Sequence, residues 1–372
     1  MPAVVDLDRD SRALERFLEL PALLYAGDAR WSAPSRASVL CSLQRPQFAV
    51  RQRAFLAERG GAPAARVVAR VSPALRDEHG RPRGLLGFFE SVDDAALVQE
   101  LLGAASSWLR TEGAGEILGP MDGDTWHRYR FNVGPHEAPP FLMEPYNKAW
   151  YAELWERAGF VPLESYHSLR VDDVAAAEAK LAPEHERALA AGYCFRPLER
   201  EHLERELALL HELSLRCFAG NFLYTDLPRA EFLALYEGVG PLLDAELVWF
   251  AYGPDGNGGA PVAFVFAFPD LFAAVAAMRS RSDFLAKLRF LWKRGAADAV
   301  NVKTLGVVPE HRRARLAYAL TARVYRRALE LGLARANLCL IRDGNPSARL
   351  DAGRGALLRR YTLYRLGAEP EG

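Results

Sequence analysis

The sequence is poor in cysteine, and its cysteines are scattered. The four of them, Cys41, Cys194, Cys217 and Cys339, form no CxxC motif and no Cys/His motif. Structural zinc sites and disulfide frameworks are recognised by such spacings. We therefore expect no metal site and no disulfide framework, and the reducing cytoplasm as the compartment.

The sequence also lacks an excess of charge of either sign and any long apolar run. Lysine plus arginine and aspartate plus glutamate each number 47, whereas nucleic-acid-binding domains usually carry a basic excess. No stretch reaches the roughly 18 consecutive apolar residues of a membrane span, and acidic residues occur near the start of the chain. We expect no binding to duplex nucleic acid, no export signal and no membrane partner.

What the chain does contain is the composition of a globular protein and a repeated order of elements. Half of its 372 residues are hydrophobic, and each half of the chain predicts hairpin, strand, long helix, strand, short helix and strand. The hairpins are predicted over 53–72, with Gly60-Gly61 as the turn, and over 246–268. We expect two α/β modules, 1–170 and 193–372, joined by a connecting helix over 171–192.

A cluster of cations lies where a strand of the second module is predicted to become a helix. The segment LGVVPEHRRARLAYAL, residues 305–320, contains His311, Arg312, Arg313 and Arg315. A helix N-terminus presents unpaired N–H groups to an anion, and arginine side chains add charge-assisted hydrogen bonds. The alternative is that these side chains only solvate a turn. The order strand, proline turn, cations and apolar-periodic helix favours a phosphate site.

This segment resembles the signature turn of the GNAT superfamily of N-acyltransferases. The family pattern is Arg or Gln, two residues, Gly, one residue, then Gly or Ala. Here Arg312 stands at the first position, Arg315 at the first glycine and Ala317 at the second. The resemblance implies that the turn binds the pyrophosphate of acyl-coenzyme A through Arg312, Arg313, Ala314, Arg315, Leu316 and Ala317.

The resemblance extends over essentially the whole chain, to bacterial proteins with two such modules. It implies that the backbone of Val307 and Val308 holds the pantetheine arm, with Val307 as the oxyanion donor to the thioester carbonyl. The segment LIRDGNPSARL resembles a second motif, in which Asn345 and Ala348 contact the pantetheine. The implied fold is a tandem of GNAT-like modules, each a mixed, mostly antiparallel central sheet flanked by helices.

Two positions depart from the family pattern. Arg315 replaces a glycine that lets phosphate approach the backbone, which implies either a shifted donor geometry or a guanidinium that itself binds a phosphate. Ala352 stands where the family often has a tyrosine that protonates the departing thiolate. The chain then needs another acid, or a thiolate that leaves unassisted.

The corresponding junction of the first module is acidic. It reads Glu90-Ser91-Val92-Asp93-Asp94 and contains three carboxylates. At an effective dielectric near 20, two unit charges about 4 Å apart interact by roughly 4 kcal/mol, so these carboxylates would repel a pyrophosphate. We expect coenzyme A to bind only to the second module.

Acyl transfer to an amine also needs a group that removes the proton of the amine. The candidates for this general base are Asp343, just before the Asn345 motif, and Asp270, which ends a predicted strand. The alternative for both is a role as a helix cap or turn residue, which aspartate commonly has at such junctions.

Two segments are candidates for the acceptor site. The loop over 121–147 is long and punctuated by proline, and long loops are often functional. The segment over 217–228 occupies the region that often shapes the acceptor site in GNAT proteins. The candidate contacts are Trp126, His127, Tyr129, Phe222, Tyr224 and Asp226. The alternative for the first loop is that its aromatic residues pack between the modules.

We expect an N-acyltransferase that moves an acyl group, most simply acetyl, from acyl-coenzyme A to an amine of a small molecule by direct attack on the thioester. Acyl-coenzyme A is then a co-substrate, and no metal is required. Two alternatives stay open. One is an acyl-carrier-protein or aminoacyl-tRNA donor, and the other is a non-catalytic binding protein with the same fold.

Overall fold

The structure, a computed structural model, describes residues 2–9, 11–45, 51–236, 243–254, 259–278 and 283–367. Within these residues the chain forms thirteen strands. In chain order they are β1 Ala3–Val5, β2 Gln52–Arg59, β3 Ala62–Arg76, β4 Pro82–Ser91, β5 Ile117–Gly119, β6 Phe131–Gly134, β7 Val161–Val171, β8 Cys194–Pro197, β9 Val248–Tyr252, β10 Ala263–Pro269, β11 Ala299–Val307, β12 Arg335–Arg342 and β13 Gly355–Leu366.

The same residues form ten α-helices and several short 3₁₀ turns. The α-helices are α1 Arg12–Leu24, α2 Arg36–Leu43, α3 Ala95–Thr111, α4 Tyr151–Arg157, α5 Val174–Ala190, α6 Leu203–Phe218, α7 Arg229–Leu235, α8 Phe272–Ala277, α9 Phe284–Arg294 and α10 Leu316–Glu330. The predicted long helices correspond to α3 and α10. None of the helices in the described ranges is long and apolar enough to cross a bilayer.

The chain divides into two compact units, and neither is one continuous segment. Unit 1 comprises Met1–Ser165, Ala274–Trp292 and Arg360–Gly372, and unit 2 comprises Tyr166–Ala273 and Lys293–Arg359. The units differ from the expected segments 1–170 and 193–372, because residues 274–292 and most of β13 are grouped with unit 1 and α5 with unit 2. The pairing of β13 with β5 and β6 accounts for the grouping of that strand.

Unit 1 contains the strands β1, β2, β3, β4, β5 and β13 in that order, with β6 also paired to β13. All pairs are antiparallel except β4 with β5. The predicted hairpin of β2 and β3 is confirmed, and its turn residues Gly60 and Gly61 have φ values of 58° and 81°. The buried face of α3, with Val98 and Leu101 among its residues, packs into the core of this sheet.

Unit 2 contains β7, β12, β11, β10, β9 and β8 in that order, and only β11 and β12 are parallel. The predicted hairpin of β9 and β10 is confirmed by its antiparallel register, while residues 255–258 of its turn lie outside the described residues. Helix α10 packs on both the sheet and α5. The mixed, mostly antiparallel sheets flanked by helices confirm the predicted fold class.

Candidate functional site

Strands β11 and β12 separate before they end. Their parallel pairing stops at Val302 opposite Leu338, although β11 continues to Val307 and β12 to Arg342. The register of β11 against β10 shifts next to Val302, which marks a bulge in β11. The two strands therefore leave a cleft between their carboxyl ends. Along this cleft the backbone N–H and C=O groups on the facing edges of β11 and β12 do not pair with each other.

The backbone of Val307 faces this cleft. The N–H of Val308 donates to the carbonyl oxygen of Val262 on the β10 side, at 2.9 Å. Successive N–H groups of a strand point to opposite edges, so the N–H of Val307 points to the edge that β12 has left. This is the position from which the predicted oxyanion donor would act.

A buried amide pair lies at the base of the cleft. The Nδ2 of Asn337 donates to the Oδ1 of Asn301 at 2.8 Å, and both side chains are buried. The Nδ2 of Asn301 is buried too, and among the described residues it has no hydrogen-bond partner. An unsatisfied buried donor costs about 1–3 kcal/mol, so this amide is a costly feature at the base of the cleft.

The cationic turn follows β11 and starts α10. A 3₁₀ turn spans Pro309–Ala314, and Arg315 then takes the left-handed conformation, with φ 56° and ψ 25°. This conformation costs a non-glycine residue roughly 1–2 kcal/mol, and Arg315 adopts it at the position where the GNAT pattern has glycine. No side chain in the described chain caps the N-terminus of α10. Its first N–H groups are thus open to an anion.

The cations of the turn have different partners. The Nη2 of Arg315 lies 2.9 Å from Glu184 of α5, and its guanidinium covers the ring of Tyr318 at 4.6 Å. The Nη2 of Arg312 donates to the carbonyl oxygen of Cys217 at 3.3 Å. Arg313 is exposed, and within the described ranges its side chain has no hydrogen bond or ion pair.

His311, the fourth basic side chain of the turn, is held by unit 2 itself. Its Nδ1 lies 2.9 Å from the hydroxyl oxygen of Tyr193. His311 and Arg315 therefore have side-chain partners, whereas Arg312 has only a long hydrogen bond to a backbone carbonyl. Arg312 and Arg313 are both exposed and are the side chains best placed to reach an incoming phosphate.

The second motif lies directly after β12. The side chain of Asn345 accepts a hydrogen bond from the N–H of Ser347 at 2.9 Å and caps the 3₁₀ turn that contains Ala348. Ala352 ends that turn in the left-handed conformation, and its carbonyl oxygen accepts a hydrogen bond from Lys180 at 2.7 Å. Ala352 is buried, so this position offers no proton donor to a leaving thiolate.

Asp343 has a partner that the sequence did not indicate. Its Oδ1 lies 2.5 Å from the Nδ1 of His167, which stands on β7 where this strand pairs with the end of β12. A carboxylate bonded to one imidazole nitrogen fixes the tautomer and leaves the other nitrogen for proton transfer. No local motif surrounds His167, and only the long-range pairing of β7 with β12 brings it to Asp343.

Asp270, the other predicted base, lies at the far end of β11. Its N–H donates to the carbonyl oxygen of Ala299, and its side chain accepts from the N–H of Phe272 at the start of α8. Ala299 begins β11 and Val307 ends it, so at about 3.3 Å per residue the two ends are roughly 26 Å apart. The structure does not bring Asp270 to the cationic turn, and its side chain has the capping role given as the alternative.

The carboxyl end of α6 reaches the end of β11. Arg312 bonds to the carbonyl oxygen of Cys217, and the Cys217 side chain lies against Gly306. A Cβ at Gly306 would stand 2.6 Å from the Phe264 ring and 2.9 Å from the Cys217 Cβ, so only glycine fits. Burial raises the pKa of the Cys217 thiol to about 12, and this side chain is a packing residue rather than a nucleophile.

The predicted acceptor residues of this segment also lie in unit 2. The guanidinium of Arg342, at the end of β12, covers the ring of Phe222 at 4.8 Å. Burial is the main cause that raises the pKa of the Tyr224 phenol, with the charge of Asp226 as the second. The structure therefore brings Phe222 to the end of β12, one wall of the cleft.

The predicted residues of the first loop lie in unit 1. The Nδ1 of His127 is 2.6 Å from the Oδ1 of Asp124, which also accepts from the N–H of Trp126 at 2.8 Å. The Nε2 of His127 is buried and has no hydrogen-bond partner among the described residues. The guanidinium of Arg130 covers the ring of Tyr129 at 4.0 Å. The role of these side chains in acceptor binding stays a prediction.

The first junction differs from the second in how its helix begins. The side chain of Asp94 accepts from the N–H of Leu97 at 3.2 Å and caps α3, and it pairs with Arg59. Glu90 is buried and accepts hydrogen bonds from the hydroxyls of Tyr25 and Tyr151 at 3.0 and 2.8 Å. The helix start that could bind an anion is thus occupied by a carboxylate of the chain.

Two bacterial proteins are similar in sequence to this chain over most of its length. No protein-family model matches the chain. It is 24% identical over 311 residues to Protein YghO of Escherichia coli strain K12, covering 82% of this chain and 78% of that protein. It is 25% identical over 285 residues to the bacterial ceramide synthase of Caulobacter vibrioides, covering 75% of this chain and 73% of that protein.

Among solved structures, the chain resembles a tandem GNAT protein from the clavulanic acid biosynthesis pathway. The TM-score is 0.55 at 13% sequence identity, and the match covers 100% of this chain and 99% of that protein. The protein thus has the GNAT fold, as the arginine-rich turn predicted. More particularly, the match over the whole length of a tandem GNAT protein shows the tandem form of that fold.

Proposed function

We propose that the protein is an N-acyltransferase that binds acyl-coenzyme A at the β11–α10 junction and transfers the acyl group to an amine. The observation that carries this proposal is the uncapped start of α10, with Arg312 and Arg313 exposed beside it and the cleft between β11 and β12 directly before it. The tandem GNAT fold and the ceramide synthase relative support acyl transfer as the chemistry.

The donor would lie along the cleft. Its pyrophosphate would accept hydrogen bonds from the first N–H groups of α10 and from the two arginines. Its pantetheine would lie between the separated strand ends and run past Asn345 and Ala348. The N–H of Val307 would donate to the thioester oxygen, where negative charge develops during attack by the amine.

Proton transfer is best supplied by the pair of His167 and Asp343. The imidazole lies at the carboxyl end of β12, and the carboxylate holds its Nδ1 at 2.5 Å. As the amine attacks the carbonyl carbon and the carbon–sulfur bond breaks, the imidazole would accept the proton of the amine. Because Ala352 cannot protonate the thiolate, the resulting imidazolium would be the acid available to it.

The acceptor is proposed to be a primary amine with an apolar body. A ceramide is the amide of a long-chain amino alcohol, so the name of the Caulobacter relative suggests an amine with a long alkyl chain. Phe222 beside the end of β12 supplies an apolar, aromatic wall for such a molecule. Short water-soluble amines with acetyl as the acyl group are the other candidates, as the sequence suggested.

The test is an acyl-transfer assay with acetyl- and long-chain acyl-coenzyme A against short and long-chain amines, following release of free coenzyme A. His167→Gln should lower kcat about 100-fold with little change in the KM for the donor, because it removes proton transfer but no phosphate contact. The matched control, His202→Gln, changes a histidine on the 3₁₀ turn Arg200–His202 and should leave kcat unchanged.

Formation of an amide product with any acyl-coenzyme A would support the proposal. Tight donor binding without turnover of any amine would favour a non-catalytic binding protein instead. If the protein does not bind coenzyme A but accepts acyl groups from a carrier protein or a tRNA, the donor belongs to the second class that the sequence left open.

A further inference from the structure

Helix α9 exposes an apolar face. Five of its large apolar side chains are at least half exposed, from 50% for Leu288 to 78% for Trp292. The five residues are Phe284, Leu285, Leu288, Leu291 and Trp292. Large apolar side chains concentrated on one short element mark an interaction surface, whereas single exposed ones do not.

These side chains share one side of the helix. At about 100° per residue, the five fall within an arc of roughly 120°. The opposite side carries Ala286, which is buried, and Phe290, which is half-buried. The buried side of the helix is therefore narrow, and its wider apolar side faces outward.

Cations flank the outward face on both sides. Lys287 and Arg294 lie next to one edge of the apolar arc and Arg289 lies next to the other, with Lys293 further round toward the buried side. The segment from 284 to 294 contains no acidic residue. All four cations are exposed, so they surround the apolar face with positive charge.

We propose that α9 binds the surface of an anionic lipid bilayer, lying in the plane of the interface with its apolar face among the acyl chains. The flanking lysines and arginines would contact lipid phosphates, and Trp292 would sit at the headgroup level that tryptophan prefers. With 11 residues the helix is about 16 Å long, half the thickness of a bilayer core, and it lies on the membrane rather than across it.

An apolar protein groove fits this helix less well than a bilayer does. A protein partner would bury the apolar arc and would have to place acidic groups along both edges of it at once. A bilayer with anionic headgroups meets both edges by itself. The idea that the membrane supplies a lipid amine as the acceptor rests on the proposed function. The binding of α9 to the membrane does not.

The test is flotation of the full chain with vesicles of phosphatidylcholine alone and of phosphatidylcholine with phosphatidylglycerol, without any acyl donor. The wild type should float with the anionic vesicles, and the double variant Leu288→Glu/Leu291→Glu should lose about tenfold or more of this binding. The matched control Leu189→Glu/Leu331→Glu changes a leucine of α5 and the leucine that follows α10, which are 44% and 40% exposed, and it should float like the wild type.

A second variant keeps the test decisive if the glutamates disturb folding. Lys287→Ala/Arg289→Ala should weaken binding to the anionic vesicles severalfold. The binding that remains should also decrease less steeply with increasing salt than that of the wild type. Absence of vesicle binding by the wild type, or equal binding by all variants, would overturn the inference. So would a wild-type dimer in solution that Leu288→Glu/Leu291→Glu makes monomeric, since the face would then join two copies of the chain.

Because flotation needs no catalysis, it can succeed while the proposed acyl transfer fails. If both hold, Leu288→Glu/Leu291→Glu should lower turnover of a long-chain amine carried in vesicles about tenfold and leave turnover of a short soluble amine unchanged. Equal loss on both amines would contradict a role of this face in reaching a membrane-borne acceptor.

Discussion

At the first junction β4 leads through Ser91–Asp94 into α3, and at the second β11 leads through the 3₁₀ turn Pro309–Ala314 into α10. Both strands have a parallel neighbour that they leave before they end. In the first, Asp94 caps the helix. In the second, the helix is uncapped and two exposed arginines stand beside it. The same strand-to-helix connection can thus end in a helix N-terminus that is capped by a carboxylate of the chain or in one that stays uncapped.

The largest expected effect comes from giving the second junction the charge of the first. Arg312→Asp/Arg313→Asp should lower kcat/KM for acyl-coenzyme A about 1000-fold or more, because it removes two charge-assisted contacts and adds repulsion of the pyrophosphate. Steady-state kinetics measure this change. The control Arg326→Asp/Arg327→Asp changes the same pair of residue types later in α10, and a similar loss there would show that the effect is one of general charge.

A smaller effect is expected from removing the cap of the first junction. Asp94→Ala should lower the free energy of unfolding by about 1 kcal/mol, the usual cost of losing an N-cap, as followed by urea denaturation. Asp173→Ala, which removes the equivalent cap of α5, should cost about the same. Asp94→Ala should not create a second donor site, because no arginine turn precedes α3, and a gain of coenzyme A binding would contradict the comparison.

The smallest effect concerns Arg315. Its guanidinium already pairs with Glu184, so Arg315→Gly should change the affinity for acyl-coenzyme A by less than about threefold. The variant should keep or slightly raise the free energy of unfolding, since glycine relieves the left-handed backbone while a half-exposed ion pair worth at most about 1 kcal/mol is lost. A tenfold loss of affinity by calorimetry would instead mean that Arg315 binds a phosphate directly.

Most helices and strands, and the cationic turn, could be predicted from short stretches of sequence. Gly60-Gly61 predicts a hairpin because two consecutive residues need positive φ, and the apolar spacing in 316–328 predicts one buried helix face. The turn is recognisable because its residues are consecutive in the chain. The left-handed conformation of Arg315 was not predicted, although the glycine at that position of the GNAT pattern is a signal for it.

Long-range pairing was beyond these signals. Nothing in the sequence around His167 indicates that β7 lies beside β12, and without that register its bond to Asp343 cannot be foreseen. The same holds for β13, which pairs with β5 and β6 of unit 1 over long separations. Asp270 was a reasonable candidate by residue type, but the antiparallel run of β10 carries it to the beginning of β11.

We propose that only the second of the two junctions binds the acyl donor, and isothermal titration of acyl-coenzyme A into the full chain is the first test of this. We predict one site per chain, an affinity about 100-fold lower for Arg312→Ala/Arg313→Ala, and an unchanged affinity for the control Arg326→Ala/Arg327→Ala. Two sites per chain, or a site that survives Arg312→Ala/Arg313→Ala at full affinity, would contradict it.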